Sequence, residues 1–239
     1  MTTVEVHKRT LLGVDPLMRE KSNGGSSAPL HPQSGKSWSS HSATMPRRPS
    51  RTTLIEPSAQ SEEELLGRFQ RAAFSYFLEQ FNPENGLVAD RSPASAPASI
   101  AVVGFALSSY PVAVERGWVS RADATRRTLV TLRFFWSSEQ SNRPDATGHK
   151  GFFYHFLDLA SGRRVWQSEL SPIDTALLMA GMLTAASYFD ASTPEEIEIR
   201  VLAEALYRRV DWEWALGGEA TVRQGWKPES GYLHSGWGG

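Results

Sequence analysis

Cysteine is absent from all 239 residues, which excludes disulfides, thiolate metal sites and a cysteine nucleophile together and leaves the redox compartment open. Histidine is sparse: six residues are scattered with no HxH or HxxxH pair, so histidine-based metal spacing is missing and no metal is expected. No glycine-rich phosphate loop, dinucleotide fingerprint or G-x-S-x-G elbow occurs, so no cofactor is expected and a serine hydrolase is disfavoured. Long apolar runs are also missing near the start. The longest there, Leu11 to Val14, is too short for a signal peptide or a membrane span, and the compartment stays unnamed.

A structured basic face is lacking too. Met1 to Gln60 holds eight of the 25 Lys and Arg against four of the 26 Asp and Glu, leaving 17 against 22 for the rest. The folded part is therefore mildly acidic, and no nucleic-acid footprint follows. That first segment is rich in Ser, Pro, Gly and His and poor in aliphatics, so it cannot bury enough surface to offset ordering entropy and is expected to be a disordered tail. The remainder, residues 61–239, is long enough for one core, and the chain has 40% hydrophobic residues.

What is present after Gln60 is helical in period. Ser61 with Glu64 reads as a capping box before Leu65, Phe69, Ala72, Tyr76 and Phe77, with the helix ending near Asn82 and Pro83. Ser99 to Tyr110 is apolar almost all round, which predicts a helix buried on most faces, restarted or kinked at Pro111. Ser120 with Asp123, Ser171 before Pro172, and Thr193 with Pro194 and Glu196 mark three further starts. Apolar second and fourth helices alternating with amphipathic first, third and fifth ones predict an all-α fold in concentric layers. The connections at 82–98 and 140–170 are long and the others tight, which gathers polar and aromatic segments at one rim. Two small hairpins are expected in that rim, Phe152 to Leu157 with Arg163 to Gln167, and Ala220 to Leu233.

The stretch GFFYHFLDLASGRRVWQSELSPIDTALL, residues 151–178, packs Phe152, Phe153, Tyr154, Phe156 and Trp166 around Asp158, Glu169 and Asp174. Aromatic faces cover the apolar side of pyranose rings, and paired carboxylates can divide acid and base roles across a glycosidic bond. A packed hairpin leading into a helix has the same composition. Glu169 and Asp174 are the first carboxylate candidates, although Asp174 also suits an N-terminal cap. Glu229, between Trp226 and Tyr232, is a third; neighbouring aromatics would raise its pKa and keep it protonated as an acid. Asp90 and Arg91 form either a local ion pair or a rim pair for sugar hydroxyls. Among Trp118, Trp136, Trp166, Trp226 and Trp237, the two beside candidate carboxylates, Trp166 and Trp226, are preferred as stacking platforms, with Tyr154 a further substrate contact. Asp158, Glu115, Arg116 and His155 are read as structural.

The ordered motifs NPENGLVADRSP, SIAVVGFALSSYPVAVERGWVSR, TLRFFW, GHKGFFYHFLD, SELSPIDTALLMAG, RVDWEWA and GWKPESGYL resemble the glucoamylase-like glycoside hydrolase family that includes bacterial endo-β-1,2-glucanases, over roughly Ser61 to Trp237. A related domain occurs within cyclic β-1,2-glucan synthases. The resemblance implies an (α/α)6 toroid with its site at the rim, of which this chain supplies about five helices as the N-terminal part of the domain. It implies hydrolysis of a β-glucan, β-1,2-linked, by Glu169, Asp174 and Glu229, with inversion where the carboxyl pair lies roughly 6.5–9.5 Å apart. It also implies work outside the cytoplasm. The alternative is a truncated, catalytically inactive carbohydrate-binding or structural fragment, whose uncovered apolar helix faces would favour self-association.

Overall fold

The computed structural model describes residues 59–237. The expected tail lies outside the described residues, apart from Ala59 and Gln60, which begin α1 two residues before the expected start at Ser61. Five α-helices carry the fold: α1 (Ala59–Glu79), α2 (Ile100–Glu115), α3 (Arg121–Ser137), α4 (Pro172–Tyr188) and α5 (Pro194–Arg209). Three of the starts follow the residue chemistry read from the sequence. The side chains of Ser120, Ser171 and Thr193 each accept from the backbone N–H three residues on, at Asp123, Asp174 and Glu196, satisfying donors that the first turn leaves without partners. Pro111 does not end α2, which runs through it to Glu115.

The inner pair, α2 and α4, crosses at very short range. A Cβ on Gly181 would stand 2.2 Å from the Gly104 carbonyl oxygen, and one on Gly104 would stand 2.5 Å from that of Leu177. Two glycines therefore let the backbones touch, and Ile100, Val103, Leu107, Leu178, Met182 and Ala185 close the seam. Both helices are buried over much of their surface but keep one apolar strip in contact with solvent. Phe105 and Val112 on α2, with Ile173 and Leu183 on α4, remain 38–51% exposed. Packing of α3 and α5 beside them is reinforced by Arg121, whose Nε and Nη2 donate to the two oxygens of buried Glu196 at 2.7 and 2.8 Å.

The long connections do gather at one end. Six two-residue strands stitch them: β1 (Ala98–Ser99) pairs with β4 (Phe156–Leu157), β2 (Gly148–His149) with β3 (Phe152–Phe153), and β5 (Trp226–Lys227) with β6 (Gly231–Tyr232), all antiparallel. The second expected hairpin is present as β5–β6. The first is rearranged: the chain turns over Asp158 to Gly162 and bridges Leu157 to Arg164, but Phe152–Phe153 pairs backwards with β2. The reason is burial on both sides, since Phe152, Phe153 and Tyr154 are all fully covered and a two-stranded ribbon could not hide three successive rings. Between the inner helices this segment is tied at both ends. The Ile100 N–H donates to the His155 carbonyl at 3.2 Å, and the Ser171 N–H to that of Phe153 at 3.1 Å.

The glycine contact yields a paired expectation. Gly181→Ala should lower unfolding free energy by about 2–3 kcal/mol, because overpacking at a backbone contact cannot relax by rotating a side chain. Gly67→Ala, where nothing lies within 4 Å of the new methyl, should instead be stabilising by about 0.5–1 kcal/mol through helix propensity. Urea melts of the two variants against the parent chain measure both signs.

Candidate active site

Glu169 and His155 meet because their backbones pair. The His155 N–H donates to the Glu169 carbonyl at 2.9 Å, Tyr154 bridges Leu170, and both side chains emerge on the same side. His155 Nδ1 then lies 3.0 Å from Glu169 Oε1 and 3.7 Å from Asp174 Oδ2. Asp174 sits in the first turn of α4, where its N–H donates to Ser171 Oγ at 3.2 Å and Ser171 Oγ–H donates back to Oδ2. Its capping reading is thus correct, and it faces the histidine as well. Side-chain exposures of 28% for His155 and Glu169 and 14% for Asp174 put the three at a wall that solvent reaches.

The electrostatics follow from this geometry. The hydrogen bond to Glu169 raises the His155 pKa above its ordinary 6.5 against the opposing effect of burial, with Asp174 and then Asp90 adding to the rise. The same bond holds the Glu169 carboxyl below its ordinary 4.5. One imidazole nitrogen and two carboxylate oxygens lie within 4.8 Å of one another, donor types that also suit a divalent cation. Scanning the sequence for histidine pairs could not have found this group. The hydrogen bonds between His155 and Glu169 and between Ser171 and Asp174 already account for the grouping.

Trp226 adjoins the cluster through its backbone. Its backbone pairs with Leu170, adjoining Glu169, while its indole stacks on His149 at 5.1 Å and packs edge-on against Trp214 at 5.6 Å. Gly225 makes room for Glu169, whose Cγ a Cβ there would approach to 2.8 Å. Trp166 stands 61% exposed beside Phe156. Asp90 is half-buried and Arg91 exposed, and they form no ion pair with each other.

Two expectations are corrected. Glu229 is not held protonated by aromatics: Arg164 Nη1 and Nη2 donate to it at 2.7 and 3.2 Å, and this pairing pulls its carboxyl below 4.5. Tyr154 cannot stack on a sugar, because its ring is fully buried beneath the Arg164 guanidinium at 4.5 Å. Burial pushes the Tyr154 phenol up to about 12. Sequence reasoning missed both Arg164 and His155. Arg164, with a side chain 1% exposed, also donates from Nε to the Ser168 carbonyl at 2.6 Å and from Nη1 to that of Pro144 at 3.1 Å.

The sign of the His155–Glu169 coupling fixes its pH window. The raised histidine stabilises the fold fully below pH 6.5 and loses this as pH rises through its folded pKa; the depressed glutamate does so above 4.5 and loses it as pH falls through its own. The pair therefore contributes most between those values. Glu169→Gln should bring the His155 titration down towards 6.5, measured from its imidazole proton shifts by NMR, whereas Glu229→Gln should leave it in place.

No family model matches the chain. It is 26% identical over 173 residues to an exo β-1,2-glucooligosaccharide sophorohydrolase of Parabacteroides distasonis, covering 69% of this chain and 23% of the relative. Among solved structures, a protein of Bacteroides uniformis assigned provisionally as a glucoamylase superposes with TM-score 0.65 at 27% identity, over 72% of this chain and 41% of that one. A β-1,2-glucanase of Parabacteroides distasonis superposes with TM-score 0.64 at 25% identity, over 71% and 24%. The chain spans less than half the length of each. By sequence and by fold, the chain is similar to glucoamylase-like and β-1,2-glucan-hydrolysing proteins, and the five helices of its described residues match part of an (α/α) toroid.

Proposed function

We propose that the chain carries part of a β-1,2-glucan hydrolase site and that Glu169 and Asp174 are its catalytic carboxylates. The observation that carries this is their convergence on His155 at the rim, in a chain related to proteins that act on β-1,2-glucans. His155 is a positioning residue and proton reservoir. A proton moves from Nδ1 across 3.0 Å to Glu169 Oε1 and on to the glycosidic oxygen as its bond to the anomeric carbon breaks, leaving a neutral imidazole. In a double displacement Asp174 bonds to the anomeric carbon as the glycosidic bond breaks, and water then displaces Asp174 and yields its proton to Glu169; in a single displacement water adds directly and yields its proton to a carboxylate farther from Glu169.

The donor atoms of Glu169 and Asp174 lie within 4.8 Å of each other, closer than the roughly 6.5–9.5 Å that seats a water for inversion. An inverting reaction would therefore pair Glu169 with a carboxylate outside the cluster. Glu229 is the remaining candidate from the sequence, with Arg164 holding it ionised. The anomer first released, followed by proton NMR, separates the two stereochemical courses.

A second reading is glucan binding without turnover, in a domain whose α2 and α4 carry exposed apolar faces. Those faces also support self-association, which sedimentation would register as a species heavier than the monomer.

With soluble β-1,2-glucan, the parent chain should release reducing ends. Glu169→Gln and Asp174→Asn should each lower that rate at least about a hundredfold, the scale of a lost acid or base. Binding by calorimetry with no product would select the second reading, and absence of both would sink the proposal.

A further inference from the structure

Trp166 is held out to solvent by a backbone that few side chains accept. Its φ is +56° and that of Gln167 is +50°, two successive non-glycine residues in the left-handed region. The turn is clamped from below: the Ser168 N–H donates to the Val165 carbonyl at 3.0 Å, and Arg164 grips the Ser168 carbonyl. An indole kept 61% exposed by a clamped, unfavourable turn needs a reason beyond packing.

Beside it lies a cavity of about 410 Å³ between the 94–97 segment and the Asp158 turn. Asn82, Ser95 and Asp158 supply polar groups there, Trp166 and Val165 an apolar side, and the lining holds no Lys or Arg. Asp158 uses Oδ1 to hold Ser161. A phosphate or other anion is disfavoured by this carboxylate without a cation. A neutral pyranose fits: its C–H face lies on indole and its hydroxyls donate to a carboxylate. The cavity is one ring removed from the carboxylate cluster, since Trp166 packs on Phe156 at 5.2 Å and Phe156 stacks on His155 at 3.9 Å. Neither Glu169 nor Asp174 lines it.

We propose that this cavity, with Trp166 as its platform, is a separate subsite for a glucosyl unit of the glucan that is not the unit being cleaved. The inference rests on the glucan reading given above. It makes affinity depend on length: a disaccharide at the carboxylates leaves the cavity empty, and a longer chain fills it.

The test is calorimetric titration of the full chain with β-1,2-glucooligosaccharides from the disaccharide upwards. The parent should gain affinity with length. Trp166→Gly, which relaxes the left-handed turn and so keeps it folded, should lose about tenfold for long ligands and nothing for the disaccharide, while Trp166→Phe keeps most of the gain. Equal binding of every length by the parent and Trp166→Gly overturns the subsite and leaves the glucan reading standing. No binding of any length by the parent overturns both.

Discussion

The contact between Gly104 and Gly181 is the constraint on which the rest depends. With the α2 and α4 backbones touching, their N-termini stand at the same end of the molecule at a fixed spacing. The Phe153–His155 segment is strung across that gap, accepting from the Ile100 N–H of α2 at one end and from the Ser171 N–H at the start of α4 at the other. A wider crossing would stretch both bonds and separate His155 from Asp174, which belongs to α4. The rim chemistry is thus set by a backbone contact about one turn into α2 and about two and a half turns into α4.

The helices were legible because their starts have local causes. Ser120, Ser171 and Thr193 cap through a bond three residues long, and any short window of sequence contains both partners. Asp174 was found for that reason, and Glu169 by adjacency. His155 was not, because its role comes from a pairing with Glu169 fourteen residues away across two turns. Glu229 failed in the instructive direction. Its aromatic neighbours in sequence suggested an apolar setting, but a buried arginine 65 positions earlier decides its charge. The strand pairing of the FFY segment was misread for a related reason: period-two reasoning assumes one wet face, and here neither is.

The cluster combines two effects that normally compete. Two neighbouring carboxylates repel and favour uptake of a proton, whereas an imidazole hydrogen-bonded to Glu169 favours ionisation of that carboxyl and its own protonation. Geometry decides the outcome, with the hydrogen bond to Glu169 outweighing burial and the longer contact to Asp174 adding to the rise. The pairing thus shifts the His155 titration upward, towards neutral pH.

Arg164 joins parts of the rim that chemistry would treat as independent. One guanidinium fixes the turn that presents Trp166, the carbonyl of Pro144 and the carboxylate of Glu229 while roofing Tyr154. These positions cannot drift separately over evolutionary time, because a change at any one leaves a buried cation short of a partner. Diversification of this rim should therefore proceed by exchange of whole loops with their arginine included, and sites that accept single substitutions should lie outside its reach.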